Sequence, residues 1–390
     1  MWRAAKVCFL YIGTVIGAGF ASGREIALFF GDTAPLNVAL AAAFMAIPEA
    51  LFLTAGKLGV LPDNTAVRTG VFIAAFSSVA AMLAGCDLAL YDVTGVVSLG
   101  VIAAILAGVL VVGGMEKIKL ANTLLIPLLL ALLLAVYIKS GAPVFNGSYS
   151  IVKPVHYAGL DVLMGGMVIS REGRKLKGKE IALTCVFSTL FLGVVLFVLQ
   201  NIVLSDDFGS SMPVLAVAEG VGLKIAAGIL IVIAVFTTLV SSLDVLTESA
   251  RRALGDYAAA RTPSPENYGR GKGSPENLPA DGRASAASAK RRPFLRFAAF
   301  YSAPRNRAFA VFLNLALLYP VSFFGFDAIV DALYPFVGLC GILMTVYTAF
   351  NLFRFVKSRR DKPPRRPRAA PHGGNAKRRT AARRAALRTR

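Results

Sequence analysis

Long apolar runs alternate with short polar or charged connections over most of the chain. Each run is near the roughly 20 residues that a helix needs to bridge about 30 Å of hydrocarbon. Ten can be marked, near 7–30, 36–56, 69–91, 95–114, 119–138, 151–170, 181–204, 223–247, 308–325 and 327–353. The pattern predicts an all-α polytopic membrane protein, with ten transmembrane helices in residues 1–353. Composition agrees, since 56% of the 390 residues are hydrophobic and 16% are charged, with a mean hydropathy of +0.64. Arg3 and Lys6 precede the first run as in a signal sequence, but the run continues through Phe29 and Phe30, so a retained helix is expected. Cys8, Cys86, Cys185 and Cys340 all fall within runs, without paired spacing or a histidine cluster, which argues against disulfides and structural zinc.

The net charge of +20 resembles a nucleic-acid footprint until the basic residues are placed. With a cytoplasmic N-terminus, the inner connections carry Lys57 and Arg68, Lys117 and Lys119, then Arg171, Arg174, Lys175, Lys177 and Lys179. The outer ones hold Asp32, Asp206, Asp207 and Asp327, against only Lys139 and Lys153. The positive-inside rule then puts both termini in the cytoplasm, and no nucleic-acid partner is called for. Residues 255–305 are rich in Pro, Ser, Gly and Ala, with Ser264-Pro265-Glu266-Asn267 repeated at Ser274-Pro275-Glu276-Asn277, and read as a disordered cytoplasmic linker. The basic tail 354–390 also reads as disordered. It would either sit on anionic lipid, at up to about 1 kcal/mol per basic residue near the surface, or only fix topology.

The first run contains Gly13-Thr14-Val15-Ile16-Gly17-Ala18-Gly19-Phe20-Ala21-Ser22-Gly23, four glycines where a plain span would carry leucines. Each costs a helix about 1 kcal/mol relative to alanine, and backbone groups freed in hydrocarbon must find other partners. Gly13 with Gly17, and Gly19 with Gly23, are also small-xxx-small pairs that permit close helix packing. A phosphate loop is excluded by the spacing, the lack of a preceding strand and the lack of Gly-Lys-Ser/Thr. The functional reading is a discontinuous helix at membrane depth, with N–H groups aimed at an anionic group and unwound carbonyls holding a cation.

Transporters of that kind are built from two inverted repeats with breaks at corresponding positions, here five spans plus five: repeat one 7–138 and repeat two 151–353. The sixth span is then the partner of the first, and it carries Pro154, Gly159, Gly165 and Gly166 with Tyr157 and Asp161. Tyr157 and Asp161 are four apart and share a face, where a solute could meet the ring or the carboxylate; an ionised Asp161 would favour an amine or other cation.

Ionisable groups at membrane depth form a second set, because even lenient scales charge about 2.5–3.5 kcal/mol for one at a helix centre. Glu49 follows Pro48 in the middle of the second span and is a candidate proton-coupling carboxylate or a protonated core residue. Glu25 lies past the glycine break beside Arg24, a candidate for proton coupling or an outer gate; Asp87, near the outer end of the third span, is a further proton-coupling candidate or only faces the exterior vestibule. Enzyme signatures are absent: His156 and His372 are the sole histidines, without His-Glu-x-x-His or Gly-x-Ser-x-Gly. Tyr91-Asp92 and Gly159-Leu160-Asp161 are similar to the paired motifs of intramembrane aspartyl proteases, but at different depths the two carboxylates could not share a proton.

The run from Gly13 to Ile26 through Gly23-Arg24-Glu25, followed by Phe29-Phe30, resembles the opening helix of the YkvI family of bacterial membrane proteins. Met82-Leu83-Ala84-Gly85, Asn122 with Ile126-Pro127, Phe236-Thr237-Thr238 and Tyr334-Pro335-Phe336-Val337-Gly338 resemble that family's signatures in order. The resemblance implies the amino acid-polyamine-organocation superfamily and the five-plus-five inverted repeat of the bacterial leucine transporter, with spans one and six discontinuous. It also implies a bacterial inner membrane and a small amino acid, amine or organic solute moved with Na+ or H+. Laid on that broken helix, Gly13 and Ile16 supply carbonyls to a sodium ion, with hydroxyls from Thr237 and Thr238 and, one turn on, Ser241 or Ser242. Gly17, Ala18 and Gly19, with Phe20 beside them, fall at the solute site. The hydroxyls could equally bond back to carbonyls of their own helix. Asp161 stands where such proteins more often carry an uncharged polar residue, and the 255–305 linker is longer than their eighth-to-ninth connection. A transporter-like sensor that binds solute without moving it is the alternative.

Overall fold

A computed structural model describes residues 2–61, 64–113, 116–141, 147–205, 210–261 and 293–360. The first run forms three short helices, α1 (Trp2–Val15), α2 (Ala18–Ser22) and α3 (Arg24–Phe30). They are followed by α4 (Pro35–Leu58), α5 (Thr65–Thr94), α6 (Gly100–Gly113) and α7 (Glu116–Ser140). Next come α8 (Val152–Asp161), a π-helical turn (Val162–Gly166), α9 (Met167–Gly173), α10 (Gly178–Leu204), α11 (Pro213–Gly220) and α12 (Lys224–Ala259). Last are α13 (293–302), a 3-10 turn (Pro304–Asn306), α14 (Arg307–Ser322) and α15 (Phe326–Arg360). Among the described residues, α4, α5, α10, α12 and α15 are the helices long and apolar enough to cross a membrane unaided. The chain is a multi-pass membrane protein.

Lipid tails are as apolar as leucine, so the helices are held by close packing rather than by expulsion from water. Glycines set the closest approaches. A Cβ on Gly56 of α4 would strike the Ser170 carbonyl of α9, and one on Gly173 would strike that of Leu53. Gly159 of α8 faces Gly338 and Gly341 of α15 in the same way, each Cβ position falling against a backbone carbonyl of the other helix or its neighbour. α5 lies along α12, and α4 along α10. Ser78 of α5 and Ser242 of α12 meet hydroxyl to hydroxyl at 2.7 Å in the buried seam.

Three boundaries differ from the sequence expectation. The segment 255–305 is structured at both ends: α12 runs to Ala259 and α13 packs back on it. The aromatic residues explain this, with Tyr257 edge-on to Phe294 at 5.3 Å between ring centroids. The Tyr301 hydroxyl donates to Asn314 at 2.9 Å, and Arg251 to the Ser302 carbonyl at 2.9 Å. The Ser-Pro-Glu-Asn repeats lie outside the described residues. The final helix passes the expected end at 353 and reaches Arg360, with Arg354 stacked on Phe350 (4.8 Å) and Arg359 on Phe355 (4.7 Å) one turn back. The rest of the tail is outside the described residues.

The third difference concerns span six. Span one is broken as expected, but span six stays helical from Val152 to Gly173 and carries its irregularity as the π turn. A π turn inserts one residue into the helix without unwinding it, and such turns gather at functional sites. This one follows directly on Asp161.

Candidate site at the helix break

The α-helical ladder of span one stops at Ile16 and Gly17. Gly17 is extended (φ −106°, ψ −166°) and opens α2, and Gly23 turns the chain into α3 at φ +85°, where a side chain would be strained. The Ile16 carbonyl, released from the helix, accepts a hydrogen bond from the Thr238 hydroxyl of α12 at 3.3 Å. A Cβ on Gly17 would lie 3.4 Å from the Thr238 methyl and 3.7 Å from the end of Met82, so α2, α5 and α12 close together there. Across the break sits the π turn, where the hydrogen of Gly165 gives way to the Tyr11 ring and the Thr14 hydroxyl, 2.8 and 2.9 Å from the position of a Cβ.

Two cavities flank the break. The first, about 20 Å³, has room for about one water or a bare cation. Its polar lining is Thr14, Ser77, Ser78, Thr238 and Tyr334 together with Glu25 and Asp161; Val15, Met82, Leu160 and Val337 supply much of the apolar wall. The second, about 60 Å³, is bordered by Gly13, Thr14, Thr238, Ser241 and Ser242. Thr14 and Thr238 belong to both.

The expected site residues divide accordingly. Gly17, Glu25, Asp161 and Thr238 meet at the first cavity, and Gly13, Thr238 and Ser241 at the second. Thr237 and Ser241 bond back within α12, to Ala234 (3.1 Å) and Thr237 (3.0 Å), whereas Thr238 both bonds back to Ala234 (2.9 Å) and reaches Ile16. Ala18 begins α2, and Gly19 is roofed by the Glu25 side chain. Phe20 is fully buried without lining either cavity. Tyr157 is also fully buried and turned aside, its ring edge-on to Phe30 (5.1 Å) and Phe29 (5.5 Å) of α3.

The remaining carboxylates go elsewhere. Glu49 is 1% exposed between α4 and α10, where Ser188 donates to one oxygen at 2.5 Å and the other has no partner. Asp87 accepts from the Gly100 N–H (2.8 Å) at the start of α6 and from the Tyr319 hydroxyl (3.0 Å), which makes it a helix cap away from both cavities. Arg24 and Glu25 do not pair. Arg24 turns outward to Asp331 and Asp327 of α15, the second at 3.5 Å, while Glu25 turns inward. Of the two roles expected of Glu25, the outer ion pair is made by its neighbour Arg24, while Glu25 lines the cavity.

Thr14, Ser77, Ser78 and Tyr334 had no role assigned from the sequence. Thr14 and Tyr334 stood inside quoted motifs, and Ser77-Ser78 is a hydroxyl pair in the middle of an apolar run, a signal that patterning alone does not separate from helix back-bonding.

No family model matches the chain, so the resemblance to the YkvI family rests on the motifs alone. The uncharacterised protein YyaD of Bacillus subtilis (strain 168) is 26% identical over 275 residues, 62% of this chain and 80% of that protein. Among solved structures, the chain is similar to Mhp1, a nucleobase-cation-symport-1 family transporter, in a closed conformation with bromovinylhydantoin bound. The TM-score is 0.47 at 13% identity, covering 90% of this chain and 92% of that one. A manganese transporter of Eremococcus coleocola in complex with an aromatic bis-isothiourea substituted compound gives 0.41 at 13% identity, covering 90% and 95%. With TM-scores below 0.5, neither neighbour identifies this chain's solute or ion.

Proposed function

We propose that the chain is a secondary transporter of a small solute, an amino acid, amine or related organic compound, driven by Na+ or H+ through alternating access. The five-plus-five inverted repeat, the placement in a bacterial inner membrane and the cytoplasmic termini belong to the same reading. The observation that carries it is the interrupted first span, whose free Ile16 carbonyl meets Thr238 beside a cavity lined by Glu25 and Asp161. Backbone left out of the helical ladder at membrane depth is tolerated where it lines a cavity or is buried in protein, and transporters use it for ions and solutes. Gly13 and Ile16 carbonyls with the Thr238 hydroxyl are the sodium ligands of this reading, with Thr237 and Ser241 available after a rotamer change. Glu25 and Asp161 are the proton carriers if H+ drives transport, with Glu49 in reserve; no enzymatic step is involved.

Purified protein in liposomes should take up solute when a Na+ or H+ gradient is imposed, and not without one. Absence of flux under both gradients across an amino-acid and amine panel overturns the transporter; binding without flux selects the sensor instead.

A further inference from the structure

We infer that the solute held at the break is a protonated amine without a carboxylate of its own, taken between Glu25 and Asp161. The inference rests on the proposed solute site and narrows its ligand. Two acids line one small cavity, Glu25 at 5% and Asp161 at 2% exposure. The cavity lining contains no Lys, Arg or His. The nearest positive side chain in sequence, Arg24, is engaged outside with Asp327 and Asp331. Asp161 offers an independent sign of a ligand, because its Oδ2 is buried, without a hydrogen-bond partner, on a side chain that faces the cavity. A buried carboxylate left unpaired costs several kcal/mol; a proton or a cation relieves that cost.

Glu25 also decides against a ligand carboxylate. Its side chain folds back over Gly19, filling the space where a Cβ would stand. The chain thus places its own acid at the break. A second carboxylate brought by an amino acid would meet like charge there. The hydroxyls of Thr14, Ser77 and Ser78 remain to receive the other N–H bonds of an ammonium group, which is what about 20 Å³ admits. A short apolar chain is left to the adjoining cavity of about 60 Å³, which shares Thr14 and Thr238 and is walled by Val71, Leu163 and Val245.

The test compares each amino acid with the amine left when its carboxylate is removed: leucine with isoamylamine, alanine with ethylamine. Binding to the full-length purified protein is read by calorimetry and thermal shift, and flux by uptake into liposomes. At least one amine should bind at least about tenfold more tightly than its amino acid. Glu25→Gln keeps the shape and removes the charge, and should weaken the amine by at least about tenfold. Asp161→Asn should do likewise with an unliganded melting temperature near wild type, and Glu25→Ala should narrow the preference by removing the repulsion. Tighter binding of the amino acids, binding of neither class, or amine affinity unchanged in both Glu25→Gln and Asp161→Asn overturns the inference. Amine binding without flux leaves the inference standing and removes the transporter; flux of leucine or alanine in preference to the amines does the reverse.

Discussion

At the scale of single residues, Thr238 joins α12 to the break. Its hydroxyl holds both the Ala234 carbonyl of its own helix and the Ile16 carbonyl across the break, so an ion entering there would find the oxygens already gathered. Thr238→Val keeps the shape and removes the oxygen. It should raise the Na+ concentration for half-maximal uptake by roughly tenfold, one ligand's worth of affinity, with little change in expression or melting; unaltered Na+ dependence would rule Thr238 out as a ligand. Residue identity was legible here and geometry was not. The Thr237-Thr238 pair stood out in sequence, but only the rotation of α12 decides that Thr238 faces Ile16 while Thr237 bonds back. Likewise, adjacency in sequence could not show that Arg24 turns out and Glu25 in, because neighbouring helical residues diverge by about 100°.

At the scale of elements, the break in span one was legible because four glycines each weaken the same short stretch of helix. The π turn of span six was not. Its setting is tertiary: Gly165 admits Tyr11 and Thr14 at distances no Cβ would allow, Gly166 admits Phe52 at 3.2 Å, and the helix there absorbs an extra residue instead of unwinding. The α8–α15 contact makes a prediction at the same scale. In Gly341→Val the new Cβ would meet the Gly159 carbonyl, and the two helices must part; the apparent melting temperature should fall by roughly 5 °C or more. A change under a degree would mean the helices do not touch there.

Outside the spans, Lys153 at the start of α8 pairs with Asp32 beside the Thr33–Ser148 bridge, and its ammonium holds the Asp32 carboxyl below the usual carboxylate range. Because the folded value is depressed, the pair's contribution is present above the unfolded value of about 4 and is lost as pH falls through the folded one. With side-chain exposures of 74% and 34% it is largely screened. Lys153→Ala should therefore cost less than about 1 kcal/mol at neutral pH and nothing measurable near pH 2; a larger or pH-independent loss would place the residue's role elsewhere.

At the scale of the whole molecule, the membrane class was legible in the apolar runs, because hydrocarbon thickness imposes length directly, and five of the described helices are long and apolar enough to cross unaided. The ends were less so. Aromatic stacking along α13 and cation–π stacking along α15 extend helix into stretches that composition alone assigns to linker and tail. The ion pairs of Arg24 with Asp327 and Asp331 join α3 to α15 on one side of the break. Gly56 and Gly173 set the close approach of α4 to α9 elsewhere. In the proposed transporter, solute movement depends on backbone exposed at Gly17, which a bulky side chain would press into Thr238 and Met82. The direct measurement is the charge moved across a supported membrane of proteoliposomes when isoamylamine or leucine is added under an inward Na+ or H+ gradient. The expected result is a solute-evoked current in wild type that falls below about a tenth in Gly17→Leu while membrane insertion is unchanged; no current in wild type, or an equal current in the variant, would contradict a transport site at the break.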